Sequence, residues 1–193
     1  YREKRIDQVL IITYGNDLLD QWYKELLLQC RTAAVFRWYG RYKEFSRFQL
    51  TGMEEKILLI SREGERIRNV LEKLKDFGER TLLIFDEVHG AGSEGFRRAA
   101  DQVLAHYRYR MGLSATPVRE YDEEGCRFLE ECIGPVIFRF GLADAIRKGI
   151  LCGFSYIPLY YELTAEEKRK KRNIISRYEQ MRKEGIAFQE EEK

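Results

Sequence analysis

The stretch Thr81-Leu82-Leu83-Ile84-Phe85-Asp86-Glu87-Val88-His89 constrains this chain more than any other. Five residues, mostly apolar, run into two adjacent carboxylates and then to one of the two histidines. A continuous run of that kind, β-branched and aromatic, predicts a strand buried on both faces of a parallel sheet. Buried strands do not ordinarily end in Asp-Glu. Two neighbouring carboxylates cost free energy to hold together unless a cation or a substrate proton uses them. The carboxyl end of this strand is therefore a candidate site, and it is the edge at which open α/β sheets bind their ligands.

The flanking sequence repeats strand then helix. Residues 9–13, 33–38, 57–61, 107–113, 136–140 and 156–163 read as further strands. Leu18, Leu19, Trp22, Leu26 and Leu27 recur at helical spacing behind Asn16 or Asp17, either of which can cap the helix. Ile67, Val70, Leu71 and Leu74 mark a second helix that Gly78 would end. Residues 96–105, 122–132 and 143–148 are expected helical, and residues 39–55 irregular. Thr164-Ala165-Glu166-Glu167 has capping-box spacing and opens a long, sparsely apolar helix toward Lys183. Alternating strands and helices argue an α/β fold, a parallel sheet wrapped by helices.

At 193 residues the chain can bury one substantial core. Its net charge of +2 neither demands nor excludes a polyanion, so nucleic-acid binding has to be argued from local clusters. Cys30, Cys126, Cys132 and Cys152 form no Cys-x-x-Cys pair. That argues against structural zinc and a disulfide framework, and for reduced thiols in a cytoplasmic protein. No apolar stretch approaches the ~20 residues of a membrane span.

Asp86-Glu87-Val88-His89 followed by Gly112-Leu113-Ser114-Ala115-Thr116-Pro117 resembles motifs II and III of the superfamily-two helicases and translocases. Each is weak alone; together they follow predicted strands in the family's order and spacing. Gly134-Pro135-Val136-Ile137-Phe138, Leu142-Ala143-Asp144-Ala145-Ile146 and Gly149-Ile150-Leu151 resemble the branch holding XPB-type DNA helicases and the translocating subunits of type I and type III restriction enzymes. The resemblance runs from about Asp7 to Leu163. It implies a RecA-like fold of the P-loop NTPase type, with residues 1–163 in the first motor domain and 164–193 a helical arm. It also implies ATP and Mg²⁺ as cofactors and DNA, duplex by preference, as partner.

By that resemblance Asp86 holds Mg²⁺ and Glu87 is the general base; the bland alternative is a solvated acidic turn. His89 would couple the nucleotide site to a second domain. Ser114 and Thr116 sit where their hydroxyls can reach Asp86 or His89, or close an ST turn before Pro117. The helix after motif Ia tracks nucleic acid in this family. Here Tyr14-Gly15 replaces the usual Pro-Thr, leaving the Gly15 and Asn16 amides to receive a phosphate. Ser61, Arg62 and Arg119 are further candidate phosphate contacts. Trp22 reads as core rather than as a base-stacking platform. Arg37, Arg41, Lys43 and Arg47, interleaved with aromatics, suit either nucleic-acid contact or the edge of a core.

The family also requires a Gly-x-x-x-x-Gly-Lys-Ser/Thr loop, and none is present. It is expected upstream of Tyr1, and the second domain's arginine motif downstream of Lys193. The chain is read as part of a larger polypeptide, inactive by itself, in which both segments are partners of the site. The leading expectation is an ATP-dependent DNA helicase or double-strand translocase serving restriction, phage defence or repair. The alternatives are a non-catalytic nucleic-acid-binding or scaffolding module derived from a helicase, and an RNA helicase.

Overall fold

The expected apolar runs form strands β1 (Gln8–Thr13), β2 (Ala34–Trp38), β3 (Lys56–Ser61), β4 (Thr81–Asp86) and β5 (Tyr109–Leu113). All pair in parallel, in the order β2-β3-β1-β4-β5. The computed structural model describes residues 6–52, 55–62, 64–92, 96–97, 102–116 and 122–183. Helices α1 (Asn16–Gln29), α2 (Phe45–Leu50), α3 (Gly64–Leu74) and α4 (Glu123–Cys132) accompany the strands, and residues 96–97 and 102–104 are helical as well. This is the RecA-like α/β arrangement that the sequence implies.

The period-two alternation of each strand divides the core between two faces. Leu10, Ile12, Leu58, Ile60, Leu83 and Phe85 meet α2, α3 and α4 on one face. Ile11, Ile57 and Leu59 meet Leu19 and Leu26 of α1 on the other. The chain therefore leaves β1 toward one face and β3 and β4 toward the opposite one. In open α/β sheets ligands bind where such neighbours diverge, which here is at the carboxyl ends of β1 and β4.

Several local expectations need correction. β4 is buried on one face, while Leu82 and Ile84 on the other are half-buried, because α1 lies over β2 and β3 rather than over β4. The supposed loop 39–55 contains α2, whose Phe45 and Phe48 are three apart and both buried against the Phe36 and Trp38 side of β2. Gly78 does not stop the second helix: a 3-10 segment, Lys75–Arg80, carries the turn through it into β4. Gly15, not Asn16 or Asp17, is the N-cap of α1, and no side chain caps it. Asp122 does cap α4, accepting from the Gly125 amide at 2.8 Å.

The chain divides into two compact units, Tyr1–Phe138 and Arg139–Lys193. The second holds α5 (Leu142–Arg147) and α6 (Ala165–Lys183). Residues 136–140 and 156–163 are not strands. Alternating side chains need a backbone ladder and a face to bury, and here Tyr156, Leu159 and Tyr160 are 80%, 90% and 92% exposed. The capping box forms as expected. The Glu167 carboxylate accepts from the Thr164 amide at 2.8 Å, and the Glu167 amide donates to the Thr164 hydroxyl at 3.3 Å. The Thr164 amide, then the Thr164 hydroxyl at 2.9 Å, donate to the ionised Glu167 carboxylate and hold it below its usual range. Among the described residues no helix is long and apolar enough to cross a membrane.

Leu10 is fully buried in the central strand. Leu10→Ala is expected to cost about 2–5 kcal/mol in urea unfolding, whereas Leu50→Ala, at an exposed position, should stay within about 0.5 kcal/mol. Thr13 is the reverse case: its buried hydroxyl has no hydrogen-bond partner among the described residues. Thr13→Val removes that unpaired group and should be neutral to about 1 kcal/mol stabilising in the same assay.

Candidate functional site

The register of the sheet places four strand ends side by side along one edge. Ser61 ends β3, Thr13 ends β1, Asp86 ends β4 and Leu113 ends β5. The candidates Arg62, Gly15, Asn16, Glu87, His89 and Ser114 all follow within three residues of these ends.

Asp86 is half-buried and held from two directions. Its Oδ1 accepts from the Glu87 amide at 3.0 Å, and its Oδ2 accepts from the Trp22 indole N–H at 2.7 Å. Each carboxylate oxygen keeps a further lone pair. Among the described residues no cluster of three or more His, Cys, Asp or Glu forms a metal cage. One anchored carboxylate with spare acceptor capacity is a donor set that suits Mg²⁺, which is commonly bound through one or two carboxylates with water and substrate phosphates completing its octahedron.

Glu87 has φ 50, the one described non-glycine residue with positive φ. Such a backbone costs about 1–3 kcal/mol and persists where its surroundings over-determine it. The surroundings do so here. The Glu87 carbonyl accepts from the Gly90 amide at 3.0 Å and from Arg62 Nη1 at 3.3 Å, while its amide is tied to Asp86. The turn continues as a 3-10 segment, Val88–Gly92, whose Val88 plugs into the core. Its side chain lies so close to β5 that a Cβ on Gly112 would stand 2.8 Å from Val88 Cγ2.

His89 Nδ1 lies 3.1 Å from Ser114 Oγ and 3.2 Å from Glu87 Oε2. An ionised carboxylate accepts and cannot donate, so the Glu87 contact calls for a proton on Nδ1. Both side chains of that pair are more than a third exposed, and it contributes little to stability. Its consequence is orientation: Glu87, His89 and Ser114 are joined in one chain of polar contacts across β4 and β5.

Ser114 also accepts from the Thr116 amide at 3.0 Å, so the ST turn and the link to His89 coexist. Thr116 itself is exposed. Ser61 is buried at the end of β3, away from any surface phosphate. Arg62 lies inward against the Glu87 turn, with its guanidinium 5.9 Å from the Tyr14 ring and packed onto Gly90, where a Cβ would stand 2.1 Å from Nη1. Gly15 caps the start of α1, and Asn16 is exposed beside it. Arg119 falls outside the described residues.

Within the basic and aromatic cluster, Arg37 and the aromatic rings pack into the fold, while Arg41, Lys43 and Arg47 are exposed. Tyr39, Phe45 and Phe48 are buried, and Arg37 is sandwiched between the Tyr23 and Tyr42 rings, 4.2 and 3.6 Å from their centroids. The Tyr39 hydroxyl donates to Asp20 of α1 at 2.7 Å, and burial, then that carboxylate, pushes its pKa well up. The residue that sequence reasoning missed is Trp22. Its spacing placed it in the core, but a half-buried indole N–H needs an acceptor, and the fold supplies Asp86.

A family model for the res subunit of type III restriction enzymes matches residues 1–119. The chain belongs to this family. A Sulfurisphaera tokodaii protein named DNA 3'-5' translocase XPB2 is 30% identical over 162 residues, covering 83% of this chain and 32% of that protein. The Enterocytozoon bieneusi protein named general transcription and DNA repair factor IIH helicase/translocase subunit XPB is 28% identical over 165 residues, covering 79% of this chain and 26% of that protein. The chain thus spans about a third or less of the length of these relatives. A designed protein of P-loop NTPase fold superposes loosely, with TM-score 0.38 and 18% identity, over 77% of this chain and 99% of that one.

Two glycines test the packing of the turn. Gly112→Ala must move the stiff Val88 side chain and should destabilise by about 1–3 kcal/mol in urea unfolding. Gly90→Ala meets only the end of a flexible arginine and should cost less than about 1 kcal/mol.

Proposed function

We infer that this chain is part of an ATP-dependent DNA helicase or double-strand translocase, and that the carboxyl edge of β4 is its hydrolytic centre. The observation that carries the reading is the pair Asp86 and Glu87: one carboxylate pinned by two N–H donors, the next on a strained left-handed backbone. Strain of that kind is concentrated at functional sites. A solvated acidic turn would have no need of either feature. Membership of this family supports a nucleotide substrate, read here as ATP, and the relatives' names, a DNA translocase and a DNA repair helicase/translocase subunit, support DNA as the track.

In this reading Asp86 would hold Mg²⁺, which when bound would supply neutralisation of the negative charge that develops in the transition state. The Glu87 carboxylate takes a proton from the attacking water as the water oxygen bonds to the γ-phosphorus and the bond to the ADP oxygen breaks. His89 meets both Glu87 and Ser114 through Nδ1, which aims the base and links it to the end of β5. The sequence holds no Gly-x-x-x-x-Gly-Lys-Ser/Thr loop, so the phosphate cradle is assigned to chain outside these residues.

Nucleic acid is assigned to the adjoining part of the same edge, where the start of α1 offers the Gly15 and Asn16 amides and the positive end of a 14-residue helix. Arg62 stands between the two regions, touching Tyr14 on one side and the Glu87 turn on the other. A backbone phosphate that attracted Arg62 would loosen its hold on Glu87, a route from DNA to the base.

The test is ATP turnover by the intact polypeptide that carries these residues, with duplex DNA, single-stranded DNA, RNA or no nucleic acid. Glu87→Gln is expected to lower turnover by about 10²–10⁴-fold while leaving DNA affinity within about threefold. Equal turnover by Glu87→Gln would remove the base from the mechanism. Absence of turnover in the wild type, with DNA still bound, would favour the binding-module reading.

A further inference from the structure

Trp22 ties the helix that begins beside the proposed DNA contact to the carboxylate proposed to hold the metal. Its indole N–H donates to Asp86 Oδ2 at 2.7 Å across 64 positions of sequence. The terminal torsion of an aspartate is broad and gives the carboxylate no preferred plane by itself. Two donors on different oxygens, Trp22 on Oδ2 and the Glu87 amide on Oδ1, fix that plane. The Glu87 amide belongs to the turn that follows β4, whose Val88 is buried on one face of the sheet; Trp22 comes from α1, packed on the other.

The helix carrying Trp22 is itself anchored at a second point. Asp20, two residues earlier, accepts the Tyr39 hydroxyl at 2.7 Å just past the end of β2. Leu19 and Leu26 seat the apolar side of α1 on the sheet. Trp22 is therefore a fixed donor, about 10 Å along the helix from Gly15 at ~1.5 Å per residue. A partner that shifts the start of α1 shifts this donor.

We propose that Trp22 is the positioning residue of Asp86, setting the orientation of the metal-holding carboxylate through its indole N–H. The inference rests on the hydrolytic reading above. Outer-sphere donors to metal-binding carboxylates typically change metal affinity or activity by 10–100-fold. Phenylalanine at this position keeps the aromatic packing and removes the donor.

The experiment has two arms, both on the intact polypeptide. In the first, nitrogen-15 tryptophan labelling gives indole N–H resonances assigned by their loss in Trp22→Phe and Trp38→Phe. Asp86→Ala is expected to move the Trp22 signal and leave Trp38 in place; an unmoved Trp22 signal overturns the inference without reference to ATP. In the second, ATP turnover is followed against Mg²⁺. Trp22→Phe should raise the half-saturating Mg²⁺ concentration by about 10–100-fold, with the KM for ATP at saturating Mg²⁺ within twofold of wild type. Trp38→Phe should match the wild type. Wild-type turnover with an unchanged Mg²⁺ dependence in Trp22→Phe sinks the inference alone. A wild type inert under every condition sinks the hydrolytic reading and the inference with it.

Discussion

The carboxyl edge of this fold is organised around two adjacent carboxylates held in fixed and different environments. Asp86 and Glu87 follow one another, so a regular strand would send them to opposite faces of the sheet. The left-handed backbone of Glu87 breaks that alternation immediately after β4. Its cost, about 1–3 kcal/mol, is offset by hydrogen bonds to the Glu87 carbonyl from Arg62 and Gly90 and from its own amide to Asp86. Val88 then buries itself beneath the turn, and Gly112 leaves room for it.

The partners of this turn come from both sides of the sheet. Trp22 reaches Asp86 from α1, Arg62 reaches Glu87 from the end of β3, and Ser114 reaches His89 from the end of β5. None of these contacts is local in sequence. The sheet order brings them together, because β1 lies between β3 and β4 while its helix takes the opposite face. The result is a turn, proposed to face the nucleotide, whose geometry depends on the elements proposed to meet DNA. Coupling between the two would then need no long relay, since Arg62 touches Tyr14 and the Glu87 turn at once.

Much of this was legible in the sequence, for stated reasons. The central strands β1, β3 and β4 are built on continuous apolar runs, and the alternation of strands with helical patterns argues a parallel sheet, the kind that binds ligands at its carboxyl edge. The Asp-Glu pair at a strand end pointed to the edge now proposed as the site. What escaped was information that only tertiary neighbours hold. Trp22 has the spacing of a core residue, and its acceptor lies 64 positions away. Arg62 looks like a surface cation until the fold lays it on Gly90. Phe45 and Phe48 sit in a polar stretch, so α2 was hidden by its flanks. Residues 156–163 show the opposite failure, an alternating pattern without a neighbouring strand to pair with among the described residues.

The central claim is spatial: the metal–nucleotide complex sits at the end of β4, against Asp86. The most direct measurement replaces Mg²⁺ by Mn²⁺ with a non-hydrolysable ATP analogue on the intact polypeptide and follows paramagnetic broadening of the two indole signals. Trp22 bonds Asp86 directly, whereas Trp38 ends β2, three strands from β4 and so about 14 Å away at ~4.8 Å per strand. Strong, nucleotide-dependent broadening of Trp22, far exceeding that of Trp38, is the expected result. Equal effects on both, or an unaffected Trp22 with nucleotide bound, would place the metal elsewhere and contradict the account.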